Sequence, residues 1–452
     1  MTRTRTTPTG LVAARLPLEP GPPIDPFALA GGTGILFHSG SRVRVGLGTA
    51  LRIALPGGLD SPADLTNAVA GLAAIPCHDQ GDRPAGAVTA FSALPFERSE
   101  AGALVVPEVT YGRDGDTEWV TVVAASHADL PRSPSRLRSW LTAAQTTPGR
   151  SGDGQPGSVP SPVVPRSSDS AFVAMVTQAL EAIGRGDLVK VVLARHVDVT
   201  LGQAIDVPVL LRRWHDLEPN CTVFSVPSPQ GQFVGASPEL LVERSGSEVI
   251  SRPLAGTAER FIGSEGSVLP GALLESGKDA IEHRLVVDAI AEVLGPLCVH
   301  LDVPAQPDLV HLHNIVHLGT TLSGTLARQP SGAVPDSLAL VAALHPTPAV
   351  GGVPAGAARA MISRLEREPR GRYAGPVGYV DANGDGRWML GIRALTLDDR
   401  TARLTAGVGI VAGSEPTVEL VETNLKLTAV LDALTPRQRT TRSEKTGQTV
   451  ST

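Results

Sequence analysis

From Asp169 onward the chain switches repeatedly between two hydrophobic periods, and this switching limits the possible folds more than any other feature. Phe172, Val173, Val176, Leu180 and Ile183 recur at i, i+3, i+4 steps, which predicts a helix over Asp169 to Ile183, closed by Gly184 and Gly186. The next run, LVKVVLARHVDVT, is apolar and β-branched, so it predicts a strand. Its period of two places Lys190, Val192, Ala194 and His196 on one face. Further strands are expected at CTVFSV, QFVGAS and LLVERSG, and a helix from about Lys278 to Leu294 with Ile281, Leu285, Ile290 and Leu294 on its stripe. Late strands are expected at GPVGYVDA, RWMLGIRALTL and ARLTAGVGIVAG. A last helix starts near Ser414, has Pro416 in its first turn and runs to Leu434. Groups of strands separated by helices imply layered sheets flanked by helices.

Residues 25–145 carry strand-like runs, ILFHSGSRVRVGLG and TEWVTVVAAS, and a helix at SPADLTNAVAGLAAI capped by Ser61. No chemical motif stands out in that part. Three segments are expected to be unstructured: residues 1–24, the polar tail 435–452, and a linker at 146–168 with five prolines and four glycines. Aromatics make up 3% of the 452 residues, so the core has to be built from Leu, Val and Ala. Three dispersed cysteines, Cys77, Cys221 and Cys298, exclude a disulfide framework and fit a reducing, cytoplasmic setting. A net charge of -6 gives no reason to expect nucleic acid or an anionic membrane as partner. No run approaches the roughly 18 apolar residues of a membrane span, and the first residues lack a secretory apolar region. No spare amphipathic helix is visible, so a monomer is expected.

Two helices present acids at the same spacing: Asp279 and Glu282, and Glu419 and Glu422. Residues three apart share a helix face. Two such faces brought together repel unless a cation lies between them, and carboxylates with retained water suit Mg²⁺; two solvated faces are the alternative. Lys190 on an apolar strand must snorkel, pair, or lose its proton on burial, the last of which would make it a general base; an exposed lysine on an edge strand is the alternative. Glu239, after Ser-Pro in FVGASPELL, is either a turn carboxylate or a buried general acid. DANGDG (381–386) begins like a calcium loop but has Ile392 at the twelfth position, so a hairpin turn is expected. His311, His313 and His317 lack an interleaved acid and are read as core or strand histidines. AGVGIVAG, with Gly407, Gly409 and Gly413, is not a dinucleotide fingerprint.

Taken together, the chain resembles the chorismate-utilising enzymes. The matching segments are KVVLAR (190–195), FVGASPELL (233–241), SRPLAGTAER (251–260), IEHRLVVD (281–288), LHNIVHLGTTLSGTL (312–326), LHPTPAVGGVP (344–354), RGRYAGPVGYVDANGDGRWMLGIRAL (370–395) and AGVGIVAGSEPTVELVETNLKL (406–427). The resemblance implies an α/β (α+β) fold: one large domain of layered antiparallel sheets with outer helices, its catalytic region at 169–434 and residues 25–145 woven into it. It implies an Mg²⁺-dependent reaction on chorismate, with Glu282 and Glu422 as direct metal ligands and Asp279 and Glu419 nearby through water. Asp279 stands where the family often has Glu. Tyr373 and Arg393 match positions that bind the enolpyruvyl carboxylate, and Gly256, Thr257, His317, Gly407 and Lys426 match other pocket positions.

The branch rests on three positions. Ala255 replaces the nucleophilic lysine of aminodeoxychorismate synthases. Lys190 replaces the glutamine usual in ammonia-using anthranilate synthases, so no glutamine amidotransferase subunit is expected. The resemblance makes Lys190 the base that activates water for attack at C2, and Glu239 the acid that protonates the hydroxyl leaving C4. Such a pair works as a neutral amine facing a protonated carboxyl. Ala349, in HPTPAVGG, stands where salicylate and anthranilate synthases typically have Thr. These residues imply an isochorismate synthase serving menaquinone or siderophore biosynthesis. A salicylate synthase is the alternative, and a non-catalytic chorismate-binding regulator or a zinc hydrolase are the readings from other classes.

Overall fold

The computed structural model describes residues 9–79, 88–131, 134–146, 164–165, 169–202, 204–259, 271–329 and 332–434. Among these residues the strands form a 13-stranded sheet, a nine-stranded sheet and a three-stranded sheet. Neighbouring strands run antiparallel, apart from Val12–Pro17 beside Cys77–Asp79. The fold is therefore the expected α/β arrangement of layered antiparallel sheets with helices outside. Both large sheets mix the two parts of the chain: Ile35–Ser39 pairs with Thr222–Ser228 in the first, and Thr89–Ala93 with Pro376–Asp381 in the second.

Six elements position the site. They are β1 (Lys190–Thr200), β2 (Leu254–Glu259), α1 (Gly277–Leu294), β3 (Ile315–Gly319), β4 (Thr401–Val411) and α2 (Pro416–Leu434). β1 and β4 pair along their whole length in the large sheet, while β2 and β3 pair in the small one. The few aromatics are concentrated between the two large sheets, where Phe37, Phe91, Phe224 and Phe233 pack with Val377 and Met389. Stacked and tilted rings supply apolar area there that aliphatic side chains alone would not. On the other face of the 13-stranded sheet, Phe27, Leu141, Trp214 and Val430 of four helices close a second core.

Four expectations are corrected. Within residues 1–24, Val12–Pro17 forms a buried strand against Thr117–Ala124. Its short LVAARL run has just enough apolar side chains to complete a sheet, although Pro and Gly flank it. In the 146–168 linker, Thr146 ends a helix and Val164–Pro165 pair with β1; the rest of that segment, residues 1–8 and the tail 435–452 lie outside the described residues. The stripe on α1 is rotated: Ile281 is 61% exposed, and the inward residues are His283, Val286, Val287, Ile290 and Leu294. That rotation turns Glu282 toward the sheet. Finally, RWMLGIRALTL is two strands in two sheets, Gly386–Leu390 in the nine-stranded and Ala394–Asp398 in the 13-stranded. The break falls at Arg393, whose φ is 51°. The chain also changes sheets between Gly231–Ser237 and Leu240–Ser245, at Glu239. The two crossings lie side by side: the Ala236 N–H donates to the Arg393 carbonyl and the Leu390 N–H to the Glu239 carbonyl, both at 3.1 Å.

DANGDG is the expected hairpin turn. Asp381 accepts from the N–H groups of Asn383 and Asp385 at 2.8 and 3.0 Å, and Asp385 accepts from Arg244. No helix among the described residues is long and apolar enough to cross a membrane.

Candidate active site

Lys190 opens β1 and is fully buried. It pairs with Val411 of β4 on one side and Val353 on the other, so it does not lie on an exposed sheet edge. Its Nζ lies 3.0 Å from Oε1 of Glu282 on α1. Space for this pair comes from Gly409 on β4: a Cβ there would lie 2.1 Å from Glu282 Oε1 and 3.0 Å from Lys190 Cε. Sequence reasoning weighed Gly409 only as part of a rejected dinucleotide fingerprint. The available signal was a glycine two residues from Gly407 on a strand, which leaves one stretch of a sheet face bare.

Glu239 is buried at the sheet crossing. Burial pushes its carboxyl up to about 8, against the opposing pull of the Leu254 N–H and then of Lys190, Lys426 and Arg393. The acid thus lies near three basic side chains, and it keeps its proton near neutral pH.

A third group is built on the small sheet. His317 of β3 has Nδ1 2.9 Å from the Gly256 carbonyl and 3.3 Å from Thr257 Oγ1, while Arg393 Nη2 lies 3.0 Å from Nε2. A guanidinium can only donate, so Nε2 accepts and Nδ1 carries the proton given to Gly256. Burial, Arg393 and Lys426 hold the imidazole down to about 3, so it stays neutral and orients the guanidinium. Gly256 has a φ of 72°, and a Cβ there would press on Asp279 at 3.0 Å. Tyr373 is buried, which pushes its phenol up to about 12, and its hydroxyl stands 3.0 Å from where a Gly407 Cβ would be. Lys426 donates to the Gly407 carbonyl at 3.1 Å and pairs with Glu422 at 2.5 Å.

The two acid pairs do converge. Burial raises the Asp279 carboxyl, and Glu282 and Glu422 raise it further, against a hydrogen bond from Ser276. Burial also raises Glu419, which feels Glu422 as well. Burial would likewise raise Glu422, but Lys426 and the Thr257 hydroxyl outweigh it and lower that carboxyl. Lys278 reaches across from α1 to α2 and meets Glu419 at 2.6 Å. Sequence reasoning missed this crosslink, because it joins two helices far apart in the chain. Among the described residues no three His, Cys, Asp or Glu side chains form a ready-made metal cage. Mg²⁺ typically takes one or two carboxylates and fills its shell with water and substrate oxygens. The repulsion that Glu282 and Glu422 exert on Asp279, and the room left by Gly256 and Gly409, suit such a cation.

Ala349 lies in the loop before Gly352–Val353. That loop runs along β1, where the Gly351 carbonyl accepts from the Val192 N–H at 2.7 Å. His311 is exposed and His313 faces Asp432, so neither joins His317.

The family model described as chorismate binding enzyme matches residues 45–435. Isochorismate synthase DhbC of Bacillus subtilis is 35% identical over 350 residues, covering 76% of this chain and 79% of its own. Isochorismate synthase EntC of Escherichia coli K12 is 37% identical over 313 residues, covering 67% of this chain and 78% of its own. The solved structure of MenF, the menaquinone-specific isochorismate synthase from Escherichia coli, shares the fold with a TM-score of 0.75 at 23% identity, over 96% of both chains. The chain belongs to the chorismate-binding enzyme family, in its isochorismate synthase branch.

Proposed function

We propose that this chain interconverts chorismate and isochorismate with Lys190 as general base and Glu239 as general acid. The observation that carries this reading is the buried Glu239 carboxyl, protonated up to about pH 8 and facing the buried Lys190. In the forward direction Lys190 Nζ takes a proton from water as its oxygen attacks C2 of the ring. The ring double bonds shift, and Glu239 gives its proton to the hydroxyl that leaves C4 as water. The reverse reaction exchanges the two roles, so the pair is suited to a near-balanced equilibrium.

Arg393, oriented by His317, and Tyr373 are positioned to bind the enolpyruvyl carboxylate; a planar fork held by a neutral imidazole is pre-aimed for a carboxylate. Thr257, Gly256, Gly407 and Lys426 complete the pocket. Glu282 and Glu422, with Asp279 and Glu419 beside them, would hold Mg²⁺, which supplies Lewis-acid polarisation and orientation to the ring carboxylate. Burial of both catalytic groups excludes bulk water that would compete with the single attacking molecule. The names of the relatives support a role in menaquinone or siderophore biosynthesis, and the cytoplasm is the proposed setting. Incubation with chorismate and Mg²⁺ tests the reading. Isochorismate should form with the wild type and be lost with Lys190→Gln and with Glu239→Gln; retention in both would refute it.

A further inference from the structure

A buried ion pair next to the site has no part in the acid–base steps. Glu366 caps the helix Ala355–Leu365, and Arg370 follows four residues later. The guanidinium meets the carboxylate through two bonds, at 2.5 and 2.8 Å, and both side chains are sealed from solvent. Together they fill a gap in one edge of β1. Gly352–Val353 cover Lys190 and Val191 on that edge, and Val164–Pro165 cover Val197 and Asp198. Between them, Arg370 Nη2 donates to the Val192 carbonyl at 2.7 Å, and the Ala194 N–H donates to Glu366 Oε1 at 2.8 Å. Two side chains thus satisfy the backbone groups that a strand would otherwise pair.

The same guanidinium has other contacts. Its Nη1 donates to the Val350 carbonyl at 2.7 Å, and its plane lies 4.3 Å from the Phe96 ring centroid. The Arg370 carbonyl accepts from the Tyr373 N–H at 3.0 Å. One residue therefore ties together the strand of Lys190, the loop of Ala349 and the turn that carries Tyr373. A buried ion pair is weak support for stability compared with apolar packing. Its rigid fork, in contrast, fixes directions in a way a lysine does not.

We propose that Arg370 and Glu366 form a positioning clamp that controls the product, holding the Ala349–Val350 loop and Tyr373 against β1 so that isochorismate leaves intact. This rests on the isochorismate synthase reading. The competing step needs no other reactant: the C2 hydrogen of isochorismate passes to the enolpyruvyl methylene carbon as the bond from C3 to the ether oxygen breaks, giving salicylate and pyruvate. It requires the enolpyruvyl group to fold over C2. A clamped loop and a fixed Tyr373 keep that group extended, and a loosened one lets it fold.

The test uses full-length Arg370→Lys and Glu366→Gln with chorismate and Mg²⁺. Initial rates of pyruvate and isochorismate formation are measured together with KM and kcat. The ratio of the two products does not depend on how much of a preparation is folded, so a purely structural role leaves it unchanged. We expect Arg370→Lys to raise the pyruvate-to-isochorismate ratio at least tenfold and to raise KM more than it lowers kcat, with a smaller shift in Glu366→Gln. A wild-type ratio in folded Arg370→Lys overturns the clamp. Should that variant not fold, a wild-type ratio in Glu366→Gln overturns it. Absence of isochorismate with the wild type refutes the underlying reading as well, and so is distinguishable from failure of the clamp alone.

Discussion

Lys190 Nζ lies 3.0 Å from Glu282 Oε1, and the lysine is wholly cut off from solvent. The pair joins the two halves of the site, because Lys190 is the proposed base and Glu282 a proposed metal ligand. Replacing Lys190 with Gln or Ala should abolish isochorismate formation, by about 10²–10⁴ in rate as is typical for general-base loss. Circular dichroism should show the fold retained, and calorimetric titration should still detect Mg²⁺. More than a tenth of wild-type turnover would remove Lys190 from its role.

As the proposed general acid, Glu239 should give the reaction a basic limit. In the folded protein its carboxyl is raised from 4.5 to about 8, chiefly by burial, and the acid works only while protonated. The rate should therefore hold to about pH 8 and fall above it. Stability follows the same sign: the folded state binds this proton more tightly than the unfolded chain, so its contribution is complete below about 4.5 and is lost as pH rises through 8. A Glu239→Gln variant should show thermal stability that depends less on pH across that window. A kcat profile still flat well above pH 8 would contradict the assignment.

Gly409→Ala tests the room around Glu282. The added methyl would stand 2.1 Å from Glu282 Oε1, so the carboxylate has to move. Overpacking of this kind costs about 1–3 kcal/mol. The expected result is a folded but less stable protein that needs more Mg²⁺ for half-maximal activity. An unchanged Mg²⁺ requirement would separate Gly409 from the metal site.

Much of this was readable in the residues, and the misses share a cause. Period and capping placed β1 and the ends of the four helices read from the sequence, because one-dimensional patterns report local structure directly; the shorter helices, such as Ser337–Leu344 and Ala355–Leu365, were not read. The rotation of α1 was not legible: Ile281 is as apolar as Ile290, and only Glu282 turning toward Lys190 decides which side faces in. The split of RWMLGIRALTL was hidden for a similar reason, since a strand that changes sheets keeps its alternation on both sides of Arg393. The resemblance named the acids one by one. It could not show that Lys278 crosses to Glu419, or that His317 aims Arg393, because those contacts join segments far apart in the chain.

Glu282→Gln and Glu422→Gln should each weaken Mg²⁺ dependence and chorismate binding together. The two losses are coupled because the cation would join enzyme and ring carboxylate. The two variants should differ in their side effects: Glu282→Gln leaves Lys190 without its acid, and Glu422→Gln leaves Lys426 without its own. Titrating Mg²⁺ against activity in each variant is the measurement. A wild-type requirement in both would mean that these helices only ion-pair with lysines.

The expected product rests on Ala349. Chorismate and Mg²⁺ incubated with the enzyme should give a reversible mixture of chorismate and isochorismate on chromatography, with little salicylate or pyruvate. Elimination needs the C2 hydrogen and the enolpyruvyl group held in a cyclic, near-attack arrangement. A threonine at this position could supply a polar contact that steers the intermediate into it, and the half-buried methyl of Ala349 cannot. Release should therefore outpace elimination, and Ala349→Thr should shift the balance toward salicylate. Salicylate as the main product of the wild type would place the chain with the salicylate synthases, while leaving Lys190, Glu239 and the acid helices in their proposed roles.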